Sequence, residues 1–211
     1  MKLDKKSMEL YAVTDRSWLG EETLYSQVEK ALEGGVTFLQ LREKHLSEEE
    51  FVKEALSIKE LCKKYQVPLI INDSVSVAKE ADADGIHVGQ SDMEAGDVRK
   101  ALGPDKIIGV SVRTVEQAVL AMERGADYLG VGAVFSTTSK EDAVEVTKET
   151  VKAICEAVTI PVVAIGGITY ENVSELKGLG IGGVAVISAI FAQQNIEDAT
   201  KALKEKVRSV L

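Results

Sequence analysis

The sequence is poor in several things that would point to common classes of protein. It has only two cysteines, two histidines and three prolines in 211 residues, aromatic residues make up 5%, and 25 Lys and Arg stand against 34 Asp and Glu. Each scarcity excludes something. Cys62 and Cys155 both fall within amphipathic helical patterns, so they read as buried thiols rather than a disulfide or metal site. A net charge of −9 gives no basic surface for a nucleic-acid backbone or an anionic membrane, so any phosphate must be held locally. No window approaches the roughly 18 uninterrupted apolar residues of a membrane span. Residues 1–7, MKLDKKS, lack the apolar stretch of a secretory signal. The expectation is a soluble, cytoplasmic protein with no nucleic acid and no membrane partner; a homo-oligomer is left open.

What the sequence does have is alternation. Eight short apolar runs (ELYAVT, FLQLRE, PLIIND, GIHVG, IIGVSV, YLGVGAV, VVAIGG and GVAVIS) are separated by helix-length segments. One such segment places Phe51, Ala55, Ile58, Leu61, Cys62 and Tyr65 on a stripe at three- and four-residue spacing. Ser47 and Glu50 at its start form a capping-box pattern. Another stripe, Ile196, Thr200, Leu203, Val207 and Val210, closes the chain. Nearly continuous Val/Ile/Leu strands alternating with helices imply parallel pairing through right-handed crossovers. Eight units predict an α/β fold, a (β/α)8 TIM barrel, as a single domain over residues 1–211. An open doubly wound sheet is the alternative, and the chain lacks the early GxGxxG fingerprint that would favour it.

In such a barrel the site is expected where strands end and βα loops begin, and the unusual polar residues fall there. Gln40, Arg42 and Lys44 alternate along TFLQLREK, which on a strand would put an amide and two cations on one face. An Arg fork with a Lys point charge suits a polyphosphate. The same spacing is compatible with Arg42 paired to nearby acids and Lys44 solvated. Gly166 and Gly167 after the seventh run, with Ile187 and Ser188 after the eighth, suggest a second phosphate cradle, with SAIFAQ as a short extra helix. Glycines serving only a turn are the plainer alternative. Asp73 and Asp92, past the third and fourth runs, could hold Mg²⁺ against a polyphosphate, or could act as loop and cap residues. His87 reads as a hydrogen-bonded barrel residue and His45 as a solvated one. No nucleophile–base pair stands out.

The motifs YAVTDR, QLREK, IIND, GIHVGQSD, IGVSVRT, YLGVGAVFSTTSK, IPVVAIGGI and GVAVISAIF, in this order across nearly the whole chain, resemble the thiamine phosphate synthase family. The resemblance implies a Mg²⁺-dependent transferase of thiamine biosynthesis. It would join an aminopyrimidine-methyl group, carried as a diphosphate, to a thiazole phosphate, releasing diphosphate. It also implies site residues. Pyrimidine-diphosphate contacts fall on Gln40, Arg42, Lys44, Asn72, Ser111 and Lys140, with Leu41 and Glu43 inside the same segment. Arg42, Lys44, Ser111 and Lys140 are the implied catalytic set, and Asp73 and Asp92 the implied metal ligands. Thiazole-phosphate contacts fall on Thr137, Thr138, Ser139, Gly167, Ile187 and Ser188. The chain departs from the family pattern at Ser74, where Arg is usual, at Ala133 and Ser136, where prolines are frequent, and at Gly182, where Asp is common. Two alternatives accompany this reading. One is a thiazole tautomerase of the same fold, which places a catalytic His where this chain has Arg113; the other is a non-catalytic binder of thiamine precursors.

Overall fold

A computed structural model describes residues 5–90, 94–137 and 145–211. Eight strands form a closed, all-parallel barrel in chain order: β1 (Leu10–Val13), β2 (Phe38–Leu41), β3 (Leu69–Asn72), β4 (Gly85–Val88), β5 (Ile107–Val112), β6 (Tyr128–Val131), β7 (Val162–Ile165) and β8 (Gly183–Val186), with β8 pairing back onto β1. The TIM barrel expected from the alternation is the fold observed. Strand ends differ from the apolar runs by a residue or more. The run FLQLRE stops pairing at Leu41, because the chain there turns out of the ladder toward the loop.

The connecting helices are α1 (Leu24–Glu33), α2 (Glu48–Tyr65), α3 (Val75–Glu80), α4 (Ala95–Leu102), α5 (Val115–Glu123), α6 (Lys148–Ala157), α7 (Ser188–Phe191) and α8 (Ile196–Arg208). The crossover from β7 to β8 contains a single 3-10 turn, Val173–Leu176, in place of a full helix. The short extra helix expected after the eighth strand is α7. The Ser47–Glu50 capping box is present at the start of α2. Ser74 acts locally as well, its side chain accepting from the Val77 amide and capping α3.

Side chains alternate across each strand, so the barrel has two apolar layers. Leu39, Leu41, Ile71, Ile86, Val110, Leu129 and Val184 face outward into the core shared with the helices. Tyr11, Val13, Phe38, Ile70, Ile107, Tyr128 and Val163 fill the interior. Tyr11, Phe38 and Tyr128 meet edge to face, with ring centroids 4.8, 6.0 and 5.6 Å apart, a geometry favoured by the ring quadrupoles. Gly109 makes this possible, since a Cβ there would stand 2.1 Å from the Tyr128 ring. Among the described residues no helix is long and apolar enough to cross a membrane. Both cysteines are free, Cys62 buried and Cys155 half-buried, and burial pushes their thiols up to about 12 and about 11.

Candidate active site

The inward alternation that buries Tyr11 and Phe38 low in the barrel brings polar residues inward at the strand ends. Gln40 on β2, Asn72 on β3, His87 on β4 and Ser111 on β5 occupy inward positions. Above them opens a cavity of about 530 Å³, lined on one side by Arg42, Glu43, Lys44, Asn72, Asp73, His87, Ser111 and Arg113. Thr137, Gly166, Gly167, Ile187 and Ser188 line the other side. Members of both groups singled out in the sequence thus face one space at the C-terminal end of the strands, while Gln40 lines a small pocket beneath it.

Arg42 lies just beyond β2, 7% exposed. Its backbone is anchored to the first βα loop: Thr14 Oγ1 accepts from the Arg42 amide at 2.9 Å. Its Nη1 donates to Asp15 Oδ2 at 3.1 Å, while Asp15 Oδ1 accepts from the Ser17 amide at 2.9 Å. A guanidinium has five N–H donors, so holding Asp15 with one nitrogen leaves others for the cavity. Pairing with an acid and lining the site are therefore compatible. Lys44 is exposed on the rim, beyond the strand, and the expected three-residue strand face ends at Gln40.

Two residues of the same segment do other work. Leu41 is fully buried in the layer between barrel and helices, because its strand parity is opposite to that of Gln40. Its side chain does not line the cavity, so of the expected substrate contacts Leu41 could offer only backbone. Glu43 lines the cavity, but its carboxylate accepts from Arg16 Nε through both oxygens at 2.8 Å. Arg16 also donates to Glu54 at 2.8 Å, tying the first loop to α2.

Asp73 has a left-handed backbone, φ 62°, which is uncommon for a residue other than glycine. Its amide donates to the His87 carbonyl at 2.9 Å, and Asn72 Nδ2 donates to Asp73 Oδ2 at 2.6 Å. A strained, exposed carboxylate fixed at the cavity edge is a hard oxygen ligand of the kind Mg²⁺ uses, one or two at a time, beside phosphate oxygens. Among the described residues Asp73 is the one of the two expected carboxylates present at the cavity. Asp92, Thr138, Ser139 and Lys140 lie outside the described residues.

Ser111 is held from two sides. Gln90 Nε2 donates to its carbonyl at 2.7 Å, and its Oγ is 2.8 Å from His87 Nε2. Gln40 is buried, with Nε2 donating to the Tyr11 hydroxyl at 2.6 Å. His87 is the hydrogen-bonded barrel residue the sequence suggested, and it also lines the cavity. Sequence reasoning did not single out Tyr11, Asp15 or Tyr128; the apolar run and the Asp-Arg pair in YAVTDR were the only signals.

On the opposite side, Gly166 and Gly167 have φ 97° and 64°, a region that favours glycine. A Cβ on Gly167 would stand 2.4 Å from the Ser136 carbonyl, so the backbone itself forms the wall. Asn172 Nδ2 donates to the Gly167 carbonyl at 2.8 Å. Ile187 caps α7 and Ser188 opens it; the Ile190 and Phe191 amides donate to the Ile187 carbonyl, so the Ser188 and Ala189 amides are the ones that precede the helix's own bonds.

Comparison with known proteins gives a consistent result. A family model described as thiamine monophosphate synthase matches residues 10–190. A thiamine-phosphate synthase of Clostridium botulinum is 48% identical over 203 residues, covering 96% of this chain and 95% of that protein. Another, of Ruminiclostridium cellulolyticum, is 50% identical over 196 residues, covering 93% of each. The structure of a thiamine phosphate pyrophosphorylase from Pyrococcus furiosus superimposes with a TM-score of 0.91 at 38% identity, covering 98% of both chains.

Proposed function

Because the chain belongs to the thiamine monophosphate synthase family, we propose that its cavity joins an aminopyrimidine-methyl diphosphate to the phosphate ester of hydroxyethylthiazole, releasing diphosphate and thiamine phosphate. As a thiamine-phosphate synthase it is a transferase of an alkyl group other than methyl. The observation that carries the residue assignment is that Arg42, Asp73 and Ser111, from three different βα junctions, face one cavity with Gly167 and Ser188.

The charged side suits the diphosphate. Arg42, braced by Asp15, presents its remaining guanidinium donors to the departing oxygens, and Lys44 adds a mobile charge from the rim. Ser111 supplies a hydroxyl beside them. Asp73, with Asp92, would hold Mg²⁺, which when bound neutralises charge on the leaving group. The glycine side suits the smaller monophosphate: Gly167 and the start of α7 offer backbone, with Thr137 beside them.

This division needs no general base from the protein. When the pyrimidine C–O bond ionises, the diphosphate departs with both bonding electrons and the thiazole nitrogen donates a pair to the resulting cation. The nucleophile belongs to the substrate. The protein stabilises the departing anion, aligns the thiazole and keeps water off the cation. Lys140, Thr138 and Ser139 complete the set by resemblance. Free thiols and the absence of any disulfide among the described residues suit a reducing compartment, and we assign the enzyme to the cytoplasm.

The test is direct. Purified protein mixed with both substrates and Mg²⁺ forms thiamine phosphate, read as fluorescent thiochrome after oxidation. Folded protein and verified substrates that give no thiochrome would refute the assignment.

A further inference from the structure

A chain of four hydrogen bonds crosses the barrel interior beneath the cavity. Gln40 Nε2 donates to Tyr11 Oη at 2.6 Å, the Tyr11 and Tyr128 hydroxyls meet at 2.8 Å, Tyr128 Oη lies 2.9 Å from His87 Nδ1, and His87 Nε2 lies 2.8 Å from Ser111 Oγ. Five strands contribute one residue each. Gly130 makes room for the imidazole, since a Cβ there would stand 3.1 Å from His87 Cε1.

Proton counting gives this chain a direction. Burial raises the pKa of both tyrosines well above the ordinary value, so each hydroxyl keeps its single proton. Tyr11 accepts from Gln40, so its proton goes to Tyr128. Tyr128 then accepts from Tyr11, so its own proton goes to His87 Nδ1. With Nδ1 accepting, the imidazole proton sits on Nε2 and is donated to Ser111 Oγ. That leaves the Ser111 proton to point elsewhere, and Ser111 lines the cavity.

We propose that Tyr11, Tyr128 and His87 are positioning residues, forming a one-way relay from the Gln40 amide that fixes Ser111 as a hydrogen-bond donor toward the substrate. The proposal rests on the diphosphate reading above, because an anion is what an outward hydroxyl proton serves. The reverse polarity would present the Gln40 carbonyl to Tyr11, turn the Ser111 proton inward and aim oxygen lone pairs at an anionic leaving group. Polar chains in a low-dielectric interior are strong when every member is satisfied, and this one is satisfied in one sense throughout. Ser111 would touch substrate; the other three act through it.

Nitrogen-15 NMR of histidine-labelled enzyme, assigned with a His45→Gln variant, should find the His87 proton on Nε2. A proton on Nδ1 instead would overturn the relay. In kinetics, Tyr128→Phe keeps the ring and removes the link. It should lower kcat about tenfold with KM for both substrates changed less than about twofold, the loss of one hydrogen bond that strengthens as charge develops. In a Ser111→Ala background the same change should cost under about twofold. An equal cost in both backgrounds would refute the positioning role. Tyr11→Phe serves as a second probe if Tyr128→Phe fails to fold, with the same cycle and the same refuting outcome. Parent enzyme that makes no thiamine phosphate would refute the functional reading, and with it the substrate-directed role; the NMR measurement would still decide the relay's direction.

Discussion

The two ends of the barrel use the same charged residues in opposite ways. At the N-terminal end of the strands, Arg99 donates to the carbonyls of Gly103, Lys106 and Gly125 and to Asp127, which in turn accepts from the Ile108 amide. Lys59 and Lys106 both donate to Asp82. These ions hold one another and the loops. At the C-terminal end, Arg42, Lys44 and Asp73 line a cavity, and even the braced Arg42 keeps donors for it. Charge alone does not mark a site; what marks it is a fixed ion with bonding capacity left over for a ligand.

That contrast predicts separable losses. Arg42→Met should have the largest effect, lowering kcat about a thousandfold through lost anion stabilisation, with a fall in thermal midpoint because the largely buried Asp15 loses its partner; steady-state thiochrome assays beside melting curves would register both. Next, Asp73→Asn should cost about a hundredfold and shift the Mg²⁺ titration to higher concentration; an unchanged metal requirement would remove Asp73 from the site. At the other end, Arg99→Met should leave kcat intact and destabilise the fold by about 2 kcal/mol, roughly a 5 °C fall in Tm. A fall in kcat at full folding would erase the distinction between the ends.

The fold was legible because it rests on local periodicity. Eight apolar runs and the Phe51–Cys62 stripe state strand and helix directly, and Ser47–Glu50 states a helix start. The segment YENVSELKGLG between β7 and β8 is where such reasoning overcounts, since it makes only one 3-10 turn. The site was legible in part. Gln40 and Arg42 stand out as polar residues in an apolar run, and Asp73 follows a strand. Leu41 was drawn in by adjacency, and strand parity sends it to the opposite layer. Tyr11, His87 and Tyr128 could not be read together, because 117 residues separate the tyrosines and only closure of the barrel joins them. Asp15 did not stand out; its bond to Arg42 depends on the pairing of β1 with β2.

Two smaller effects sharpen the comparison further. Gly167→Ala places a Cβ against the Ser136 carbonyl, so KM for the thiazole phosphate should rise about tenfold while KM for the pyrimidine diphosphate holds; equal rises in both would dissolve the two-sided cavity. The smallest effect belongs to Asp82, whose two lysine hydrogen bonds hold its carboxyl down at about 2. Its folded value lies below the ordinary 3.8, so its stabilising contribution is present above about pH 4 and is lost as pH falls through about 2. Because Asp82 is exposed, solvent screening keeps the effect small. Asp82→Asn should lower Tm by about 1 °C or less at neutral pH, and the gap should close on acidification.

The aromatic triad of Tyr11, Phe38 and Tyr128 stoppers the tube from below, so among the described residues the cavity opens at the C-terminal end of the strands. On the proposed reaction, whichever substrate sits deeper would have to enter before its companion, and products would leave by the way the substrates came. Such a dead-end chamber imposes a queue, and product-inhibition patterns would reveal it as ordered rather than random binding.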